Sequence, residues 1–301
     1  MAIVANSPKL HDLIDPAATI EQVSSGCIFT EGPIWNHREG YLLFSDMPGD
    51  KRRKWSPAGG TEVVMSPSWK CNGMTYDAQG NLIVCEHVTC SVVRERPDGV
   101  RETLAFHWEG KYLNGPNDVV VAPDGSIFFS DPSYGRFPGF GIERSKELDF
   151  EGFFRVRPDG VVELCADDFD KPNGLCFSPD GSKLYVNDTP RAHIRVWDVK
   201  ADGSLGAHRV FAENIGDGNL EAGVVDGMKS DELGNIWVTG PKGIWVFSPE
   251  GEHLGIVEFP EGTANLTWGG EGWKTLFVAA NTSVYAVQTK VAGHLEPYMK
   301  R

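Results

Sequence analysis

A strand-turn-strand pattern that recurs through the whole chain constrains its fold more than any other feature. Turn glycines mark the repeat, and each precedes a short run of branched and aromatic residues: Gly40, Gly80, Gly125, Gly181, Gly234 and Gly272. Successive glycines are 40, 45, 56, 53 and 38 residues apart, which is the period of a propeller blade. A second turn follows each of the first five glycines, so each repeat holds two hairpins. The sequence therefore predicts an all-β fold, a six-bladed β-propeller with four-stranded antiparallel blades around a central channel.

We expect residues 1–301 to form a single domain, because a closed ring of repeats contains no internal boundary. Residues 1–17 precede the first repeat and are expected to form an N-terminal extension. Residues 133–152 interrupt the third repeat and are rich in Gly, Phe and charge, which predicts a loop insertion near the channel mouth. A strand near Thr19–Ser24 is expected to close the ring by pairing with Val284–Val287, since this removes two exposed sheet edges.

The charge balance excludes some classes of partner. The chain carries 28 Lys and Arg against 42 Asp and Glu, a net charge of −14 that disfavours nucleic acid and anionic membranes. No apolar run approaches the roughly 20 residues of a membrane span, and no secretory signal is visible at the N-terminus. We therefore expect a cytoplasmic protein whose six cysteines are free thiols. The sequence carries no signal for an oligomeric state.

One oxygen-bearing side chain stands just before the first apolar run of every repeat. These residues lie 9, 8, 8, 8, 8 and 7 positions before the turn glycine and are called here the axial ring: Glu31, Asn72, Asn117, Asn173, Asp226 and Asn265. Because innermost strands surround the propeller axis, a common register predicts that all six meet at one end of the channel. Two carboxylates and four amides suit one hard divalent cation such as Ca²⁺, Mg²⁺ or Mn²⁺.

Several ring positions also have a simpler interpretation as turn residues. Asn72-Gly73 and Asn173-Gly174 are ordinary hairpin dipeptides, and Asn117 followed by Asp could cap a turn. Independent turn residues need not converge on the same strand end. The shared register across six repeats therefore favours a site, with turns as the alternative.

A second set of acids follows the turn glycines by about six residues. For Asp46 and Glu86 we expect bonds to neighbouring backbone or to a Lys or Arg. Asp131 and Asp188 have two open interpretations, since either could instead orient a ligand or contact substrate. His87 is expected near the channel mouth, where a surface histidine is the favoured interpretation over a functional one.

An ordered set of short segments resembles the SMP-30/gluconolactonase family, which is also called the regucalcin or luciferin-regenerating-enzyme-like family. The resemblance spans roughly Gly26 to Val287, and a Asp-Pro-Ser-Tyr-Gly segment points to its bacterial gluconolactonase branch. The matching segments are Phe29-Thr-Glu-Gly-Pro-Ile-Trp35, Gly115-Pro-Asn-Asp118, Phe129-Ser-Asp-Pro-Ser-Tyr-Gly135, Lys171-Pro-Asn-Gly174, Val225-Asp-Gly-Met228 and Asn265-Leu-Thr-Trp-Gly-Gly270.

This resemblance implies an enzyme that hydrolyses a small-molecule sugar lactone, such as gluconolactone, with one divalent ion in the channel. The family's metal ligands match Glu31, Asn173 and Asp226, and its substrate-side asparagine matches Asn117. Ca²⁺ is expected ahead of Mg²⁺, Mn²⁺ or Zn²⁺. The ion would polarise the lactone carbonyl, and Asp226 would also act as the general base for water.

Further substrate contacts are expected from position alone. Asn72 and Asp131 could bind substrate hydroxyls beside Asn117, and Tyr134 and Arg136 could supply a wall and a charge.

Two other functions remain open from the sequence. One is a metal-dependent esterase or phosphotriesterase, because the same Lewis acid would polarise another ester. The other is a non-catalytic binding propeller with a structural ion, since this architecture hosts many interaction modules. Activity on sugar lactones far above that on aryl esters would support the lactonase.

Overall fold

Six antiparallel sheets are arranged in a ring, as the sequence predicts, in a computed structural model that describes residues 2–299. Residues 1, 300 and 301, part of the expected domain range, lie outside the described residues. Blade 1 comprises Thr30–Asn36, Tyr41–Asp46, Lys51–Ser56 and Gly60–Met65. Blade 2 comprises Cys71–Tyr76, Leu82–Glu86, Ser91–Glu95 and Arg101–Ala105. Blade 3 comprises Val119–Val121, Ile127–Asp131, Glu151–Val156 and Val162–Phe169. In each blade the first strand faces the axis and contacts the first strands of both neighbouring blades.

The second half of the chain repeats this order with two additions from the N-terminal segment. Blade 4 comprises Pro172–Phe177, Lys183–Asp188, His193–Val199 and Leu205–Ala212. Blade 5 comprises Met228–Ser230, Ile236–Gly240, Gly243–Phe247, His253–Glu258 and Ile3–Ala5. Blade 6 comprises Thr263–Gly269, Thr275–Ala280, Val284–Gln288 and Glu21–Ser24. The remaining elements of residues 2–299 are a hairpin, one turn of α-helix and three 3₁₀ turns: His107–Trp108, Lys111–Tyr112, Leu10–Leu13, Ser133–Arg136, Glu271–Trp273 and Pro297–Met299. None of the helices within the described residues is long and apolar enough to cross a membrane.

The N-terminal segment closes the ring and extends one blade. Glu21–Ser24 pairs with Val284–Gln288, as the sequence predicts. Ile3–Ala5 lies antiparallel to the outer strand of blade 5 and gives that blade a fifth strand. The intervening helix packs Leu10 into the core formed by blades 5 and 6. The N-terminal segment is thereby held in two sheets, those of blades 5 and 6.

The apolar core lies between the blades. Phe128 of blade 3 stacks on Phe153 of the same blade and meets Phe177 of blade 4 edge to face, at centroid distances of 5.9 and 5.8 Å. Trp237 and Trp268 make a similar contact between blades 5 and 6 at 5.4 Å. Because neighbouring blades cover each other's faces, apolar side chains are buried there and the polar ends of the first strands are left for the axis. The six cysteines are free thiols, as expected.

The C-terminal segment covers the channel end opposite the axial ring. Gly293 bridges to Asp231, and the backbone N–H of His294 donates to the carbonyl of Ser230 on the inner strand of blade 5. Tyr298 is only 2% exposed and packs against Tyr76 at a centroid distance of 5.3 Å. Access to the channel is therefore from the axial-ring end.

Tyr298→Ala is expected to lower the free energy of unfolding by about 3–5 kcal/mol, the usual cost of deleting a buried aromatic ring. Tyr298→Phe is the matched control and is expected to change stability by less than about 1 kcal/mol, because the buried hydroxyl has no hydrogen-bond partner among the described residues. Urea unfolding measures both. A cost near zero for the alanine variant would show that the segment does not stabilise the propeller.

Candidate active site

Five of the six axial-ring residues line one cavity of about 250 Å³ at the axis: Glu31, Asn72, Asn117, Asn173 and Asp226. The sixth, Asn265, does not line the cavity but lies behind Glu31, where its Nδ2 donates to Oε2 of Glu31 at 2.9 Å. The structure thus brings the predicted ring together, with one member acting through another.

A glycine follows four of the ring residues, and close approach of neighbouring inner strands explains it. A Cβ on Gly174 would overlap the carbonyl oxygen of Asp226, and one on Gly32 would overlap that of Asn72. The dipeptides lie within strands or in the loops leading to them and do not form hairpin turns. The turn interpretation of Asn72 and Asn173 is therefore wrong.

Glu31 is fixed by hydrogen bonds to one carboxylate oxygen, and among the described residues no hydrogen bond reaches the other. Its Oε2 accepts from the backbone N–H of Gly32 at 2.7 Å and from Asn265, and the side chain is 3% exposed. Burial raises the pKa of Glu31 to about 7, although both hydrogen bonds lower it.

Asp226 is half-buried and held through its backbone. Its N–H donates to Oγ1 of Thr239 at 2.8 Å, and its carbonyl accepts from Nδ2 of Asn187 at 2.5 Å. Desolvation, followed by the nearby charge of Glu31, raises the pKa of Asp226 well above its usual value. Two like charges placed this close favour a compensating cation.

Hydrogen bonds set the direction of the Asn173 amide. The hydroxyl of Thr189 donates to the carbonyl of Val225 at 2.8 Å, so it accepts from Nδ2 of Asn173 at 3.1 Å. The other amide atom, Oδ1, is buried and has no hydrogen-bond partner within residues 2–299. A buried oxygen without a protein partner is free to bind a water molecule or an ion.

These three residues fit a hard divalent cation. They offer two carboxylates and an amide oxygen, all of which line the same cavity. No group of three His, Cys, Asp or Glu side chains suited to a metal occurs in residues 2–299. An ion here would accordingly depend on the oxygen of Asn173 as well as on the carboxylates.

His87 lies in the cavity wall, fully buried, so its interpretation as a surface histidine is wrong. Its Nδ1 is 2.9 Å from the carbonyl oxygen of Phe140, and its Nε2 is 3.3 Å from Nδ2 of Asn72. That Nδ2 also donates to Oδ1 of Asn117 at 3.1 Å. Asn72 and Asn117 therefore form a connected pair on the cavity floor.

The predicted substrate contacts divide into two groups. Tyr134 lines the cavity, as Asn72 and Asn117 do. Arg136 does not, because its guanidinium donates to the carbonyls of Asn114, Ser145 and Leu113. Nor does Asp131, which is fully buried behind the wall.

Three of the four acids that follow the turn glycines hold the loops that lead to the axial ring. Asp131 accepts from the N–H groups of Asn114 and Gly115, at 2.8 and 2.7 Å. Asp188 accepts from the N–H groups of residues 170 and 171, and Asp46 from that of residue 28. Asp46 also pairs with an arginine, as does Glu86, which confirms the expectation for these two. Asp131 and Asp188 serve the same positioning role.

An apolar rim that the sequence analysis did not identify surrounds the polar floor. It is formed by Phe29, Met47, Phe137, Phe140, Leu220 and Val224. Phe137 and Phe140 belong to the 133–152 segment, which reaches the cavity. Their enrichment in that insertion was a usable signal, whereas Leu220 stands in a loop with no distinctive pattern.

Comparison with known proteins places the chain in a family. The model of the SMP-30/gluconolactonase/LRE-like region matches residues 29–282. A gluconolactonase of Zymomonas mobilis is 33% identical over 307 residues, which covers 95% of this chain and 86% of the relative.

Solved structures agree with this match. A gluconolactonase from Xanthomonas campestris superimposes with a TM-score of 0.87 at 31% identity, covering 96% of this chain and 95% of that one. A calcium-binding regucalcin from Agrobacterium tumefaciens gives a TM-score of 0.74 at 20% identity, covering 91% and 95%, and shares the fold. The chain belongs to the SMP-30/gluconolactonase/LRE-like family.

Proposed function

We propose that this protein is a hydrolase that opens a sugar lactone to the free acid with the help of one divalent cation. The observation that carries the proposal is the cavity floor, where Glu31, Asp226 and the unpartnered oxygen of Asn173 stand beside the two amides of Asn72 and Asn117. The gluconolactonase relatives support the lactone, and the calcium-binding regucalcin supports Ca²⁺ as the first ion to test.

The three oxygen-bearing residues Glu31, Asn173 and Asp226 would hold the cation. When bound, a divalent cation supplies a Lewis acid that polarises a carbonyl oxygen and offsets the charge developing on it. Thr189 keeps the oxygen of Asn173 directed away from its own hydroxyl, and Gly32 and Asn265 hold Glu31. The protein thus presents its ligands in fixed orientations before substrate arrives.

Asp226 serves as the general base. Its carboxylate takes a proton from the attacking water, whose oxygen bonds to the lactone carbonyl carbon. The ring C–O bond then breaks, and the proton passes to the leaving ring oxygen, which becomes a hydroxyl of the open acid. Asn72 and Asn117 bind substrate hydroxyls, while the apolar rim, which includes Phe29, Phe137 and Phe140, limits the access of bulk water.

The apolar rim supports a second candidate reaction, hydrolysis of an aryl ester at the same floor. Phe137 and Phe140 are 43% and 37% exposed and could stack on an aromatic group. A panel that compares aldonolactones with aryl esters and a phosphotriester separates the two reactions through their kcat/KM values.

Chelation is expected to remove more than nine-tenths of the lactonase activity, and one ion among Ca²⁺, Mg²⁺, Mn²⁺ and Zn²⁺ is expected to restore it. The assay follows proton release from aldonolactones with EDTA-treated protein, before and after each ion is added. Full activity in EDTA would contradict the metal-dependent mechanism. Tight binding of an ion without turnover of any substrate would instead favour a structural ion.

A further inference from the structure

His87 is enclosed between the 133–152 segment and the cavity floor, and its contacts define which ring nitrogen carries hydrogen. The side chain is 0% exposed. Its Nδ1 lies 2.9 Å from the carbonyl oxygen of Phe140. A carbonyl can only accept a hydrogen bond, so Nδ1 is the protonated nitrogen.

The second ring nitrogen is then an acceptor. Burial, together with the positive charge of Lys70, lowers the pKa of His87 to about 4, so the imidazole is neutral at physiological pH. A neutral imidazole with hydrogen on Nδ1 has a lone pair on Nε2. The amide atom of Asn72 that faces it at 3.3 Å must accordingly be the Nδ2 donor.

This contact determines the direction of both floor amides. Nδ2 of Asn72 donates to His87 and also to Oδ1 of Asn117, which leaves Oδ1 of Asn72 buried and without a partner in residues 2–299. Because Oδ1 of Asn117 already accepts from Asn72, Nδ2 of Asn117 is the amide atom that can bond to substrate, as a donor. Both residues line the cavity.

We propose that His87 is a positioning residue that makes the cavity floor present an acceptor at Asn72 and a donor at Asn117 to a pair of substrate hydroxyls. One hydroxyl donates to Oδ1 of Asn72, and a second group accepts from Asn117. A lactone that lacks the donating hydroxyl leaves this buried oxygen unpaired and is discriminated against. The substrate part of this proposal rests on the proposed lactonase function, whereas the amide direction does not.

The first test needs no catalysis. Two-dimensional ¹H–¹⁵N correlation spectra of the imidazole rings in the intact protein report which nitrogen carries hydrogen. We expect His87 to be neutral with hydrogen on Nδ1 from pH 5.5 to 8. A charged ring at pH 6, or hydrogen on Nε2, would overturn the proposal.

The second test uses two His87 variants, one with a hydrogen-bond acceptor in the side chain and one without. His87→Gln keeps an acceptor near the position of Nε2, whereas His87→Leu has a side chain of moderate size with no acceptor. For a parent aldonolactone, the leucine variant is expected to raise KM about tenfold and change kcat less than about threefold, while the glutamine variant stays within about threefold of wild type in both.

Substrates complete the test. Among aldonolactones that each lack one ring hydroxyl, wild type is expected to lose about tenfold or more in kcat/KM for one of them, and His87→Leu is expected to treat that lactone and its parent alike. Equal selectivity in wild type and a folded leucine variant would overturn the proposal. If wild type hydrolyses no lactone, the proposed function fails, and the imidazole spectra still decide the direction of the amides.

Discussion

Asp226→Asn is expected to lower the kcat for lactone hydrolysis by about 10³-fold, because it removes both the general base and one negative ligand of the cation. The fold should survive. Asn has the same shape as Asp, and the backbone of residue 226 stays bonded to Thr239 and Asn187. Without metal, the variant is expected to be at least as stable as wild type, because it removes a desolvated charge beside Glu31.

The measurement combines steady-state kinetics at saturating ion with calorimetric titration of the ion and thermal unfolding in EDTA. Glu221→Gln is the matched control, since it removes an exposed carboxylate from the loop that also contributes Leu220 to the rim. It is expected to leave kcat within about twofold of wild type, as is usual for a surface change. More than a tenth of wild-type kcat in Asp226→Asn would assign the base to another group.

Local periodicity was sufficient to predict the blades and the axial ring. The turn glycine, the strand run and the polar residue of each repeat lie within a few positions of one another, so they are recognisable locally. In a closed ring of blades, residues at the same position of each repeat meet at the axis. Glu31 and Asp226 are far apart in sequence, yet both line the cavity because each lies at the same end of an inner strand or just before one. The position of a ring residue was therefore predictable from its own repeat.

What each polar side chain contacts was less accessible, because the contacts come from segments with no repeat register. His87 is buried, and its Nδ1 lies against the carbonyl oxygen of Phe140 in the insertion. Arg136 lies in the expected neighbourhood, but three backbone carbonyls take up its guanidinium. Asp131 similarly turns back to the loop before Asn117. Sequence position therefore predicted which part of the channel each side chain lies in. Whether a polar group bonds to backbone or is left for a ligand decides its role, and that was not predictable from position.

Gly174→Ala is expected to lower kcat/KM by about 10²-fold and the free energy of unfolding by about 2–3 kcal/mol. The added methyl group would overlap the carbonyl oxygen of Asp226 and come within 3.0 Å of Nδ2 of Asn187. That carbonyl cannot move freely, because the same Asn187 amide donates to it. The inner strand that carries Asn173 and the segment that carries Asp226, just before the inner strand of blade 5, must therefore separate, which pulls two of the three proposed ligands apart.

Gly206→Ala is the control for this variant. Gly206 lies in the outer strand of blade 4, and an added Cβ would meet the carbonyl of Asp198 at an ordinary contact distance of 3.4 Å. Its expected effect is below about 1 kcal/mol and leaves activity unchanged. Urea unfolding, kcat/KM and calorimetric ion affinity are measured for both variants. Loss of ion affinity in Gly174→Ala alone would link inner-strand spacing to the cation site, whereas wild-type affinity and turnover in that variant would show that the site tolerates separated strands and that the glycine serves packing only.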